Sequence, residues 1–337
     1  MRPAFLITID TEGDNLWAAP RHVTTENSRF LGRFQQLCDS FGLKPTYLTD
    51  YQMARCPIFG RFARKILRER SGEIGMHLHA WDSPPDYALT YDDFSATPYL
   101  IEYPPDVLRA KVSFMTRLLE DTFGERMTSH RAGRWAFDGI YARALIDEGY
   151  LVDCSVTPGY SWEHILGDPK GRGGTDYSQA QRAAYFLDPG DPSQPGYSTL
   201  LEAPMTILPN PVPPVVNELR EKLPLRSFPR RVLNRLIPAQ TWLRPNGRNR
   251  RPMLRLLHEA LAENPSHIEF MLHSSELMPG GSPTFRTPSS IEALYHDIQA
   301  VFSIVKDACE PLCLTEFAET YVTGARQAGA ISTANAL

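Results

Sequence analysis

Short apolar runs alternate along this chain with stretches in which apolar residues recur at helical spacing. Residues 4–9 (AFLITI) read as a buried strand, and Phe30, Leu31, Phe34, Leu37, Cys38 and Phe41 then follow a helical period as far as Gly42. The same pattern predicts strands at 45–49, 73–77, 127–131, 150–154, 199–203, 267–273 and 311–314. It predicts helices at 58–70, 105–123, 138–148, 252–263 and 289–307. Strand and helix alternating at intervals of roughly 30 residues build parallel βα units. About eight such units with no Gly-rich phosphate loop favour an α/β barrel over an open nucleotide-binding sheet.

Residues 188–252 break this pattern. The stretch holds 13 of the 29 prolines and reads as an insertion around one βα unit. Between Arg220 and Arg255 there are eleven Lys/Arg and one acid, Glu221, a local charge of +10. Arg226, Arg230, Arg231 and Arg235 are interleaved there with Phe228, Val232, Leu233, Leu236, Ile237 and Trp242, a composition suited to an anionic interface; the alternative is a solvated flap. The expected organisation is one barrel domain over 1–323 carrying this basic insertion, followed by a flexible tail over 324–337.

Composition narrows the class. The chain has 337 residues, and α/β barrels commonly use 200 to 250 residues as one domain, so the length demands no second one. A net charge of -4 (35 Lys/Arg, 39 Asp/Glu) argues against nucleic acid as a partner, and 42% hydrophobic residues provide for a buried core. Five cysteines, odd in number and without paired zinc spacing, read as reduced thiols. The apolar run after Met1 is too short for a signal peptide, and no run approaches a membrane span, so the expected location is the cytoplasm, peripheral to the inner membrane if the basic segment binds it.

The residues able to do chemistry fall at the C-terminal ends of the predicted strands: Asp10 and Glu12, His77 and His79, Arg131, Asp153, and His273. In a βα barrel those ends share one rim, where active sites are built. His77 and His79, at i and i+2 on an extended segment, point to the same side. With Glu12 they make a two-His, one-carboxylate set that leaves positions open for water and substrate, and Asp10 stands beside it as a general base. His22, His164, His258, His267 and His296 read as surface or hydrogen-bonded histidines. No GxSxG occurs, which removes the nucleophilic-serine reading.

The ordered set TIDTEGD (8–14), GMHLHAW (75–81), SHRAGRW (129–135), VDCSVTP (152–158) and FMLHSSEL (270–277) resembles the motifs of the polysaccharide deacetylases, also called the NodB-homology group or carbohydrate esterase family four. HLHxW, RAGRW and LHSSEL resemble most closely the WalW-like subgroup linked to lipopolysaccharide biosynthesis. The resemblance implies a distorted (β/α)7 barrel, so that one of the eight predicted strands lies outside it. It also implies metal-dependent removal of an N-acetyl group from an amino sugar or glycolipid, with zinc as the ion. By position, Asp10 matches the base, Glu12, His77 and His79 the metal ligands, Arg131 the arginine that orients the base, and His273 the general acid. Asp153 falls in the motif expected to support that histidine.

This chain departs from the commoner pattern of adjacent aspartates, so the carboxylate ligand is Glu12 or Asp14; and the position four after His77 is Trp81 instead of histidine. Trp81 and Trp135 are candidates to stack on a sugar ring or flank the acetyl methyl, with a locked loop aromatic as the plain reading. Ser274 is a candidate substrate contact, with capping or a loop hydrogen bond as the plain reading. Two other functions remain open: hydrolysis of a cyclic ureide such as allantoin, and a barrel that binds glycan without turnover.

Overall fold

The computed structural model describes residues 2–224 and 227–327. Among the described residues there are twelve strands: β1 (Ala4–Thr11), β2 (Pro45–Thr49), β3 (Glu73–Leu78), β4 (Ser129–Ala132), β5 (Val152–Asp153), β6 (Tyr185–Asp188), β7 (Asp191–Pro195), β8 (Leu201–Glu202), β9 (Ile207–Pro209), β10 (Gln240–Trp242), β11 (His267–His273) and β12 (Glu310–Pro311). Seven of them run parallel in the order β11-β1-β2-β3-β4-β5-β8. This is the distorted seven-stranded barrel. The row does not close by a ladder. Residues that follow β8 and β10 bridge the gap instead: the Glu269 N–H donates to Thr206 Oγ1, Leu243 N–H to the Thr206 carbonyl and Met271 N–H to the Leu243 carbonyl.

The predicted strand at 311–314 shrinks to β12 and stays outside the barrel. β2 pairs with β1 only from Ile7 onward, which leaves the edge of Ala4 and Phe5 free, and β12 fills that edge below β2. The predicted helices appear with bounds shifted by two residues or fewer, as Pro57–Glu69, Pro105–Phe123, Gly139–Asp147, Arg250–Glu263 and Pro288–Ala308. Three starts carry proline in the first turn, where the missing N–H costs nothing.

One expectation about the chain's less regular parts needs correction. The last helix runs Leu314–Gln327, so 324–327 is helix, and the rest of the expected tail lies outside the described residues. The Pro-rich stretch contains β8, the barrel strand predicted at 199–203, and two nine-residue helices, Pro214–Lys222 and Phe228–Leu236.

Alternation on the strands layers the barrel. Phe5, Ile7 and Ile9 of β1, Ile74, Met76 and Leu78 of β3, and Ile268, Phe270 and Leu272 of β11 pack outward under the helices. The intervening residues face inward. At the bottom, Ala4, Leu6, Val152 and Leu201 pack on Leu314 and Phe317 of the last helix, which plugs that end. Thr8, Arg131 and Glu269 form a charged middle layer, and Asp10, His77 and His273 stand above it.

His267, at the bottom of β11, is buried, and its Nε2–H donates to the Pro204 carbonyl at 2.8 Å. Burial pushes its imidazolium pKa down to about 4, against the small opposing effect of that bond. Between pH 6.5 and 4 the unfolded chain therefore binds a proton that the folded one refuses. Stability is full above pH 6.5 and falls by up to about 3 kcal/mol as the pH drops through this window. His267→Gln, which keeps a donor, is expected to flatten that part of the pH dependence in urea unfolding; an unchanged slope would contradict it.

Candidate active site and metal centre

Asp10 ends the inward-facing row of β1, and its two oxygens have different surroundings. Oδ1 accepts from Arg131 Nη1 at 2.6 Å, while Oδ2 lies 3.9 Å from His77 Nε2 and 3.7 Å from His273 Nε2. Burial alone would raise its pKa, but Arg131, His77 and His273 together hold it below the ordinary carboxylate value. Arg131 is wholly buried. Besides Asp10 it donates to Thr8 Oγ1 (2.8 Å), to the Cys154 carbonyl (3.2 Å) and to Glu269.

Glu12, His77 and His79 come together beside Asp10. Their potential ligand atoms all lie within 4.8 Å of one another, and all three residues are buried. Glu12 Oε2 is 3.0 Å from His79 Nε2 and 3.6 Å from His77 Nε2. His77 Nδ1 sits 2.9 Å from the Arg131 carbonyl, which can only accept. That bond puts the proton on Nδ1 and leaves the Nε2 lone pair facing Glu12, the tautomer a metal-ligating histidine needs. Burial works against a charged His77, yet Asp10 and Glu12 raise its pKa to about 9; with no ion in place Nε2 therefore also takes up a proton, which a metal would displace on binding. Two imidazoles and one carboxylate with this arrangement fit a divalent metal.

Asp14, the alternative carboxylate, is used elsewhere. Its oxygens accept from Thr24 Oγ1 (2.7 Å) and from the N–H groups of Glu26 and Asn27 (both 2.9 Å), closing the loop after β1. Glu12 is held the other way by Ser274, whose Oγ bridges its backbone, accepting from the N–H at 3.1 Å and donating to the carbonyl at 3.2 Å. Ser274 is therefore fully buried behind Glu12 and does not reach the cavity, a correction to its reading as a substrate contact.

Asp153 also differs from expectation. Val152 faces the barrel interior, so its neighbour turns to the helix side, where Oδ2 meets His130 Nδ1 at 2.5 Å. His130 Nε2 in turn contacts Tyr141 Oη at 2.7 Å, and Asp153 accepts from Ser155. It does not support His273. That role falls to Arg244, which the sequence did not single out, and to Glu276, which lies within the LHSSEL motif. Arg244, just after β10, places Nη2 2.9 Å from His273 Nδ1 and 3.0 Å from Glu276 Oε1. Since a guanidinium only donates, Nδ1 is the acceptor and the His273 proton sits on Nε2, facing the cavity. Glu276 accepts the His273 N–H at 2.9 Å; burial would raise its pKa, but Arg244 and His273 bring it down to about 2.

One cavity of about 480 Å³ collects these groups, lined by Asp10, Glu12, His77, His79, His273 and Arg244 together with Trp17, Trp81, Trp135 and Trp162. Trp17 lies 4.8 Å from His273 and Trp81 4.4 Å from His79 between ring centroids. Trp135 covers the Arg131 guanidinium at 4.7 Å, with its backbone at φ 65° and that of Arg134 at φ 56°. Left-handed backbone in two non-glycine residues is unfavourable, and here Tyr177 Oη, donating to the Trp135 carbonyl at 2.7 Å, holds the turn.

A scan against protein-family models finds no match, and neither does a search of curated proteins. Solved structures do match. A protein of Parabacteroides distasonis, described as a candidate glycoside hydrolase/deacetylase, aligns with TM-score 0.59 at 10% identity over 97% of this chain and 72% of its own. A candidate polysaccharide deacetylase of Mycobacterium smegmatis aligns with TM-score 0.53 at 15% identity over 96% of this chain and 91% of its own. The chain has the polysaccharide-deacetylase fold. The same fold search also finds the 4-α-glucanotransferase of Thermococcus litoralis (TM-score 0.50, 11% identity, 94% of this chain, 40% of that one), so the fold by itself does not choose the reaction.

Gly133 gives the metal centre a direct test. A Cβ there would come within 2.5 Å of His79 Nδ1 and 2.6 Å of the Leu78 carbonyl. Gly133→Ala is expected to displace the imidazole and weaken zinc binding by about ten- to a hundredfold in calorimetric titration. Gly32→Ala, a helical position with open space around it, should leave the affinity unchanged.

Proposed function

We propose that this protein is a zinc-dependent hydrolase of the polysaccharide deacetylase family that removes the N-acetyl group from an amino sugar in a precursor of a bacterial surface polysaccharide or lipopolysaccharide. The observation that carries the reading is the buried Glu12–His77–His79 group standing beside the Asp10–Arg131 pair and His273 in one cavity. The subgroup placement, WalW-like, rests on the sequence motifs. A cytoplasmic location fits five free, buried cysteines and the finding that no helix among the described residues is long and apolar enough to cross a membrane.

When bound, a divalent ion supplies Lewis acidity that polarises the acetyl carbonyl and lowers the pKa of a water molecule. Glu12, His77 and His79 hold it. Asp10 takes the water proton at Oδ2, while Arg131 holds Oδ1 and keeps the carboxylate ionised. His273 meets the departing amine with its Nε2–H, held by Arg244 on Nδ1, and the proton that amine takes is the one Asp10 Oδ2, 3.7 Å from Nε2, removed from water, so the ring stays neutral. Trp81 and Trp135 flank the sugar or its acetyl methyl, and a backbone N–H in the turn around Trp135 faces the oxyanion.

The carboxylates also argue against the glycoside-cleaving chemistry that shares this fold. Such a reaction needs one carboxyl with a raised pKa to protonate the leaving oxygen. Among the described residues, the cavity is lined by two carboxylates, Asp10 and Glu12, and both are held below their ordinary values despite burial.

The test combines metal analysis with acetate release from N-acetylated sugars. Asp10→Asn is expected to keep its metal and lose at least about a hundredfold in turnover, as befits a general base. His77→Ala is expected to lose both. Equal metal loss in the two variants would overturn the division of roles, and absence of acetate release from every N-acetyl sugar by the zinc-loaded protein would overturn the reaction.

A further inference from the structure

We infer that the pair of helices Pro214–Lys222 and Phe228–Leu236 is a docking surface for an anionic phospholipid bilayer. A helix on a soluble protein ordinarily turns its apolar stripe to the core. Here Phe228, Val232 and Leu236, at i, i+4 and i+8, form a stripe that faces solvent; Phe228 is 70% and Leu236 74% exposed, and this helix buries none of its residues. Val215 and Leu219 on the neighbouring helix are exposed in the same i, i+4 pattern.

The pair is nevertheless held as a unit. Arg220 is nearly buried and donates to Asn234 Oδ1, Asn217 Oδ1 and the Ile237 carbonyl, which ties the two helices together. Arg231 and Arg235 stand one position before Val232 and Leu236, and neither forms an ion pair with a carboxylate among the described residues. Unpaired arginines beside an exposed apolar stripe, in a segment of local charge +10, complement a surface that is apolar below and anionic above, which is what acidic lipid headgroups over acyl chains present.

Position gives the surface a use. The cavity shares Trp135, Trp162 and Arg244 with a second hollow that reaches Pro238. From there a third, lined by Arg235, Leu236 and Arg248, opens at the end of the apolar stripe. With this face on a bilayer, this row of neighbouring hollows lies between the membrane surface and Asp10 and Glu12. A lipid-linked sugar phosphate is the substrate class such an arrangement serves, a consequence that rests on the deacetylase reading, whereas the docking itself does not.

Vesicle flotation of the full-length chain tests the inference without any turnover, so its failure and that of the deacetylase reading are separately visible. The protein is expected to float with phosphatidylglycerol-containing vesicles and not with pure phosphatidylcholine. Partition should fall roughly fivefold for each of Arg231→Gln and Arg235→Gln. It should be lost in the Phe228→Ser/Leu236→Ser double variant, with a circular-dichroism spectrum and thermal unfolding at the wild-type level as the check on folding. Failure to float with anionic vesicles, or unchanged partition in these variants, would overturn it. So would a dimer that disappears in the double variant, since that would assign the face to a second copy of the chain.

Discussion

The whole site hangs on one buried guanidinium. Arg131 ties β1 through Thr8 and Asp10, β11 through Glu269, and the residue after β5 through the Cys154 carbonyl, while its own carbonyl fixes the tautomer of His77 on β3. Every one of these groups is removed from water, where an unpaired charge is costly. Taking Arg131 away would leave Glu269 without a counter-charge and Asp10 with the histidines alone, a change of about 3–5 kcal/mol for a broken buried pair. Strand alternation explains why the arginine can do this: it places Thr8 and Glu269 in the layer directly beneath Asp10, between an apolar floor and a catalytic rim.

The proposed metal ligands depend on the same layer. Glu12 is one strand repeat above Asp10, and Ser274, just beyond β11, clasps its backbone from behind. The result is a set of opposed constraints. Glu12 cannot retreat from His79, His77 cannot change tautomer without losing the Arg131 carbonyl, and His79 has its ring against Gly133 because no side chain stands there. A site built in this way is ordered before any ligand arrives, which is what metal affinity and catalytic positioning both require.

The parts that were legible in the sequence are those with a period. Asp10, His77, His79, Arg131 and His273 could be placed because each ends a recognisable apolar run, and in a parallel barrel such ends meet. Facing, as opposed to position, was harder to read on short strands. Val152–Asp153 is only two residues long, too short for alternation to declare a side, and Asp153 turned outward to His130. Arg244 and Trp17 were invisible for another reason: they sit on irregular segments, which carry no period. Arg244 in particular lay within a basic stretch where ten other cations shared its signature. Sheet closure was likewise not deducible, since it uses isolated bonds from Thr206 and Leu243 instead of a strand.

Because the fold is shared by proteins that cleave different bonds, the central claim concerns the ion and where it sits. The most direct measurement is anomalous scattering at the zinc edge from crystals of the zinc-loaded protein. A single strong peak about 2.0–2.2 Å from His77 Nε2, His79 Nε2 and a Glu12 oxygen, with Asp10 outside that shell, is the predicted result. A peak on other residues, or none at this cluster, would contradict it.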